Sequence, residues 1–205
     1  LKCLAGRGNL PHRGCLIFII EVPLRSSMHQ EILKFWFEEL EPKQWWVKDF
    51  ELDQLIIARF SEIHARAVRC ELSGWRKNAS GRLAEIIVLD QFSRNLFRGS
   101  PLSFAYDPLA LALSQEAIAA GADQLLSPVE RKFIYMPFMH SESLQIHEEA
   151  VELFRRNGQQ GSFEYELKHK AIIERFGRYP HRNEVLGRAS TEAELEFLQQ
   201  PGSSF

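Results

Sequence analysis

Three stretches of this 205-residue chain gather side chains able to bind an anion or move a proton. The first is Asp90-Gln91-Phe92-Ser93-Arg94-Asn95, with Arg98 just beyond. Asp90, Arg94 and Arg98 recur every fourth residue, so on a continuous helix they share one face. The residues before them, Leu83, Ala84 and Ile86 to Leu89, are apolar nearly all round. The stripe therefore starts at a buried helix end, where a charge requires partners. The second stretch, residues 168–188, sets Lys168, Lys170, Arg175, Arg178, Arg182 and Arg188 against Glu174 and Glu184, and adds His169 and His181. Within it Gly177-Arg178-Tyr179-Pro180-His181-Arg182-Asn183 reads as a shaped loop. Its arginine forks suit a carboxylate or phosphate ligand, and equally suit pairing with Asp90, Glu130 or Glu142. The third stretch is Tyr135 to Glu142. Pro137 is expected to end or kink a helix there and present His140, which beside a carboxylate could do acid–base work. Ser141 and Glu142 read best as a helix N-terminal cap.

Taken together, the candidate polar pocket is Asp90, Gln91, Arg94, Arg98, His140, Glu142, His169, Arg178, His181, Arg182 and Asn183. The simpler reading of both charged stretches is a salt-bridge network locking helices together. The functional reading has the arginines holding an anionic substrate while a histidine moves a proton. No metal and no cofactor are expected. Glu166-Leu-Lys-His169 is half of a di-iron carboxylate motif without a second copy, and HExxH, finger spacings, phosphate loops and GxSxG are lacking. The three cysteines, Cys3, Cys15 and Cys70, are odd in number and form no CxxC, which points to a reducing, cytoplasmic setting. Cys70 reads as a packed thiol on an amphipathic helix.

The elements that must position these residues are helical throughout, because alternating Val/Ile/Thr runs and Asn-Gly hairpin signals are lacking. Helices are expected over His29–Leu40, from an Asp49 cap to near Gly74, and from Ser80 or Gly81 to about Arg98. Others start at an Asp107 cap, at the Ser127–Glu130 capping box, at a Ser141 cap running to Gly158, at Phe163 and at the Thr191–Glu194 box. That is an all-α fold of about eight helices in antiparallel pairs, with the third helix central. Phe35, Trp36, Phe37, Trp45, Trp46 and Trp75 read as core filling. Hydrophobic residues make up 45% and charged residues 25%, enough apolar material for one sizeable core and too much for a disordered chain.

The formal charge is −2, but it is unevenly spread. Residues 1–27 carry Lys2, Arg7, Arg13 and Arg25 against Glu21, and the first methionine is Met28. The expectation is a lead translated from upstream of Met28, or a flexible arm, ahead of a single helical domain at 28–205. Without those five charged residues the −2 becomes −5 over residues 28–205. An acidic body argues against nucleic acid as a partner, and the apolar run Cys15 to Ile20 is too short to span a membrane.

Three segments together are distinctive: Leu89 to Gly99 (LDQFSRNLFRG), Tyr135 to Glu142 (YMPFMHSE) and Arg175 to Asn183 (RFGRYPHRN). With Phe35 to Phe37 (FWF) and Pro201 to Phe205 (PGSSF), they resemble the bacterial "domain of unknown function 924" family over about Met28 to Phe205. The resemblance implies a tetratricopeptide-like, right-handed helical array with no established activity, and supplies no catalytic residues. The chain departs from the family at His147, where glutamine is more frequent, and at Ala171, where a polar residue is more frequent. A helical array with no catalytic motif ranks first as a protein- or peptide-interaction module. A binder or enzyme for a small anionic ligand, built on the polar pocket, ranks second.

Overall fold

A computed structural model of the chain describes residues 27–204. The basic lead apart from Ser27, the thiols Cys3 and Cys15, and the terminal Phe205 lie outside the described residues. The fold among those residues is all-α. α1 (Met28–Lys34) continues through a wide π turn, Phe35–Glu39. α2 (Phe50–Val68) starts at Asp49, whose carboxylate accepts the Glu51 and Leu52 N–H groups. α3 (Ala79–Ile87), a π turn (Val88–Phe92) and α4 (Ser93–Leu96) follow one another without a break. α5 (Asp107–Ala119), α6 (Pro128–Met139), α7 (Leu144–Asn157), α8 (Gln160–Phe176) and α9 (Glu192–Leu198) complete the chain. Counting α3 and α4 as one rod leaves eight helices among the described residues, and no strand.

The third rod is the hub, as its all-round apolar pattern demands. Leu83, Ala84, Ile86, Ile87, Val88, Leu89 and Phe92 are all buried. α1, α5 and α6 pack on α3, α2 packs on the π turn and α4, and α7 lies between α6 and α8. Aromatic rings fill the space between the hub and the first helices. Phe60 stacks on Phe92 at 5.0 Å, and Trp36 meets Phe92 and Phe133 edge-on at 5.7 and 5.6 Å. Phe35 and Trp36 are core residues, but Trp46 is half exposed. Gly81 lies under the carbonyl of Trp75 so closely that a Cβ there would collide with it, which fixes glycine in the first turn of α3.

Several local expectations are corrected. α6 continues through Pro137 to Met139 and does not end at the proline, because Phe133, Ile134, Phe138 and Met139 are buried and tertiary packing outweighs the one backbone hydrogen bond a proline removes. Ser141 caps nothing: α7 begins at Leu144 with Ser143 at the N-cap position. Asp107 is the first residue of α5, not its cap, and spends its carboxylate on two arginines. The Ser127–Glu130 and Thr191–Glu194 boxes form as expected. At the chain end Ser203 is buried, its hydroxyl donating to Leu198 O at 3.1 Å.

α2 ends at Val68, well short of Gly74, so Cys70 is an exposed thiol on a helix terminus and not a packed one. The closure is a Schellman motif: Glu71 N–H bonds Arg66 O at 3.0 Å and Cys70 N–H bonds Ala67 O at 2.9 Å. That motif puts Cys70 at φ 59°, a left-handed conformation where a Cβ is strained and glycine is not. Cys70→Gly is therefore expected to raise unfolding free energy by about 0.5–1 kcal/mol, net of the extra entropy glycine loses on folding. The check is the urea midpoint of the two proteins at constant m-value; a lower midpoint contradicts the assignment of strain.

Candidate functional site

Four chain segments meet where the central rod turns polar. The π turn supplies Asp90 and Gln91, α4 supplies Arg94, the start of α5 supplies Asp107, and the end of α6 supplies His140. A short turn, Pro180–Arg182, brings Arg182 in from the loop after α8. The π turn is itself held by side chains: Ser93 Oγ donates to Leu89 O at 2.5 Å, and the Arg94 guanidinium donates to Asp90 O. π turns inside α-helices recur at functional sites, where one extra residue per turn re-aims side chains.

Asp90 is wholly buried and sits at the centre. Its Oδ1 lies 2.7 Å from His140 Nδ1 and 3.3 Å from Arg94 Nη1, while Oδ2 accepts from Gln91 Nε2 at 2.5 Å. Burial alone would push the Asp90 carboxyl up. His140 and Arg94 outweigh it and hold the group down at about 2. Burial and the nearby Arg94 together lower the His140 pKa, with Asp90 and Asp107 opposing. An ionised Asp90 can only accept, so the proton of neutral His140 sits on Nδ1 and the lone pair on Nε2. Nε2 makes no hydrogen bond among the described residues, and the His140 side chain is 12% exposed.

Asp107 pairs with both arginines: Arg94 Nη2 and Arg182 Nη1 each lie 3.2 Å from its Oδ2. Its Oδ1 is 3.1 Å from Arg94 Nη1 but out of hydrogen-bond alignment, so this buried oxygen has a charged neighbour and no aligned donor. Arg182 donates to His140 O at 3.0 Å and lies between the rings of Phe104 and Tyr179, at 4.5 and 4.6 Å. Its Nε is buried without an acceptor among the described residues. A buried guanidinium N–H left unpaired inside a charged cluster is the kind of group a ligand satisfies.

Around this centre stands Tyr179, buried, with its hydroxyl donating to Met139 O at 2.6 Å. Glu142 does not cap α7. It accepts Tyr179 N–H at 2.7 Å and a bidentate pair from Arg188 at 2.7 and 3.0 Å, which clamps the loop. Asn183 accepts from Arg188 Nε at 2.9 Å. The rings of His169 and His181 flank Tyr179 at 5.7 and 5.5 Å. Burial drives both histidines down to about 3. His169 Nδ1 donates to Tyr165 O at 2.7 Å, so the Glu166-x-x-His169 pair is not a joint ligand. Glu166 instead meets His147 at 2.7 Å in a fully buried pair, and burial raises its carboxyl. His147 Nε2 lies 2.9 Å from Ser141 O.

Of the eleven residues expected from sequence, Asp90, Gln91, Arg94, His140 and Arg182 form the centre, and Glu142, His169, His181 and Asn183 the ring around Tyr179. Arg98 and Arg178 belong to neither. The helix ends at Leu96, so Arg98 leaves the Asp90 face and binds Asp53 through Nε and Nη2, at 2.5 and 2.7 Å. Arg178 is bidentate to Glu194 at 2.7 and 2.8 Å, pinning α9. Sequence reading missed Asp107, whose Asp-Pro pair mimics a cap, and Phe104 and Tyr179, whose aromatic type signals only core. The expected pairing of the basic run with Glu142 is made by Arg188, at the end of that run.

The family described as "Bacterial protein of unknown function (DUF924)" matches residues 32–202. A solved structure of a protein of unknown function from Agrobacterium tumefaciens is similar at 39% identity and a TM-score of 0.81, over 84% of this chain and 97% of that one. No curated protein matches.

Burial holds His64 near 4 and His169 and His181 near 3, with His140 lowered as well. Below pH 6.5 the unfolded chain binds protons that the fold refuses, so stability is complete above that pH and falls as pH falls. Each histidine that stays neutral in the fold contributes a slope of up to about 1.4 kcal/mol per pH unit. Urea midpoints should be level from pH 8 to 7 and decline steadily from pH 6.5 to 5. A flat profile to pH 5 contradicts the burial of these rings.

Proposed function

We propose that this chain, which belongs to the bacterial protein family of unknown function DUF924, binds a small anionic ligand at the Asp90–His140 centre and exchanges a proton with it through His140. The observation that carries the reading is an Asp90-oriented imidazole whose Nε2 makes no hydrogen bond, beside a buried arginine whose Nε has no acceptor, both among the described residues. Asp90 fixes the tautomer and stabilises the imidazolium that forms when Nε2 takes a proton. Arg182 and Arg94, already held by Asp107, are preorganised donors, so little reorganisation opposes binding of an anion. His169 and His181 stay uncharged near neutral pH and leave the arginines as the attraction for it. The exposed thiol of Cys70 supports a reducing, cytoplasmic setting.

Thermal shift with inorganic phosphate and citrate as probes tests the reading. Saturable stabilisation of the unaltered protein is expected, weakened at least tenfold in Arg182→Lys, which loses the fork, and retained within about threefold in His140→Gln. Stabilisation indifferent to Arg182, or no stabilisation by any anion, would contradict it.

A second reading, the interaction module, rests on a groove of about 630 Å³ between α5 and α7. Its floor is Ile118, Phe138 and Leu153, and its rim carries Glu148, Glu149, Glu152 and Arg156, with Glu152 bonded to Arg155, so the free acidic charge of the rim, among the described residues, is that of Glu148 and Glu149. An apolar floor with an acidic rim complements a basic amphipathic helical peptide. A fluorescein-labelled Leu/Lys amphipathic 16-mer should bind the protein, and the double substitution Glu148→Lys, Glu149→Lys should weaken it at least tenfold at 150 mM salt. Equal binding by both proteins removes the groove from consideration.

A further inference from the structure

A second pocket, separate from the Asp90 centre, lies on the far side of the π turn. One face of α2, carrying Ile57, Ser61, His64, Ala65 and Val68, forms one wall. Leu96 at the end of α4, then Phe97 and Tyr106, form the other. Its volume is about 400 Å³, within the range of small-ligand sites. The walls are aliphatic and aromatic, and the one rim cation, Arg69, is bidentate to Glu71 at 2.6 and 3.1 Å.

Of the polar side chains at this pocket, Arg69 is held by Glu71 and the Ser61 hydroxyl donates to Ile57 O, which leaves His64, 3% exposed, as the polar group set in the apolar wall. Its Nε2 lies 2.8 Å from Ser93 Oγ. The one hydroxyl proton of Ser93 is committed to Leu89 O at 2.5 Å. Ser93 Oγ therefore accepts, Nε2 carries the imidazole proton, and Nδ1 presents a lone pair. Nδ1 makes no hydrogen bond among the described residues. Burial keeps the ring uncharged down to about pH 4, so at neutral pH that nitrogen is an acceptor only. The rings of Phe97 and Tyr106 meet the imidazole edge-on at 5.3 and 5.2 Å, leaving aromatic surface on either side.

We propose that this pocket binds a small phenol, or another aryl compound with a single O–H donor, through a hydrogen bond to His64 Nδ1. The chemistry selects against the alternatives. An anion would face the Nδ1 lone pair with no unpaired cation near it among the described residues, and a hydrocarbon would displace water from Nδ1 without replacing its hydrogen bond. The ligand class differs from that proposed for the Asp90 centre, and neither site depends on the other being occupied.

The test compares p-cresol with its hydrocarbon analogue toluene by NMR, reading the imidazole nitrogens of the full chain. The expected result is saturable binding of p-cresol, at least tenfold tighter than toluene, with a shift confined to His64 Nδ1. Ala65→Phe, which fills the pocket and leaves the acceptor in place, should abolish p-cresol binding while the phosphate and citrate response at Arg182 is unchanged; Val68→Trp serves the same purpose if Ala65→Phe fails to fold. Equal affinity for p-cresol and toluene, a shift at another histidine, binding that survives the filling substitution, or no saturation at millimolar p-cresol overturns the proposal. So does self-association through this face, seen as concentration-dependent sedimentation that Ala65→Phe removes.

Discussion

Charge buried in an apolar helical core is the constraint around which this molecule is arranged. Asp90 and Asp107 face Arg94 and Arg182 inside a largely apolar bundle, and His140 and Arg94 keep the Asp90 carboxylate ionised against its burial. Removing one partner of such a pair costs about 3–5 kcal/mol, because it strands the other charge out of water. Everything nearby serves to hold those four groups: the π turn that aims Asp90, the rings of Phe104 and Tyr179 against Arg182, and the Glu142–Arg188 clamp that fixes the loop. A network built only for cohesion could be closed completely. This one leaves Arg182 Nε, Asp107 Oδ1 and His140 Nε2 without an aligned partner among the described residues.

The same constraint explains the histidines. His64, His140, His169 and His181 are all disfavoured as cations by burial, so a cluster that looks basic in the sequence works at neutral pH through its arginines and through neutral imidazoles. The distinction matters for chemistry: a neutral imidazole oriented by a carboxylate takes a proton, whereas a charged one only attracts. His147 fits this arrangement. It bridges Glu166 to Ser141 O behind Tyr179, bonds that an amide of similar reach can also make.

Much of this was legible in the sequence because it depended on local rules. The all-round apolar run from Leu83 to Leu89 announced a central helix, and the Ser127–Glu130 and Thr191–Glu194 boxes marked true helix starts. What failed depended on tertiary contacts. Pro137 was read by its local effect, yet buried neighbours carry the helix through it. Asp107 looked like a cap because Asp-Pro usually is one, while two arginines from distant segments claim its carboxylate. A strict four-residue period put Arg98 on the Asp90 face, and an unforeseen π turn and helix end sent it to Asp53 instead. Cys70 reads as packed only on a helix that reaches Gly74; α2 ends at Val68, which leaves the thiol exposed.

The central claim is that His140 is a neutral, Asp90-oriented base with its second nitrogen open. Long-range ¹⁵N–¹H NMR of the imidazole at pH 7 addresses it directly. The structure calls for a protonated Nδ1 and an unprotonated Nε2, a pattern that changes in an Asp90→Asn protein. A proton on Nε2, or on both nitrogens at that pH, would contradict the account.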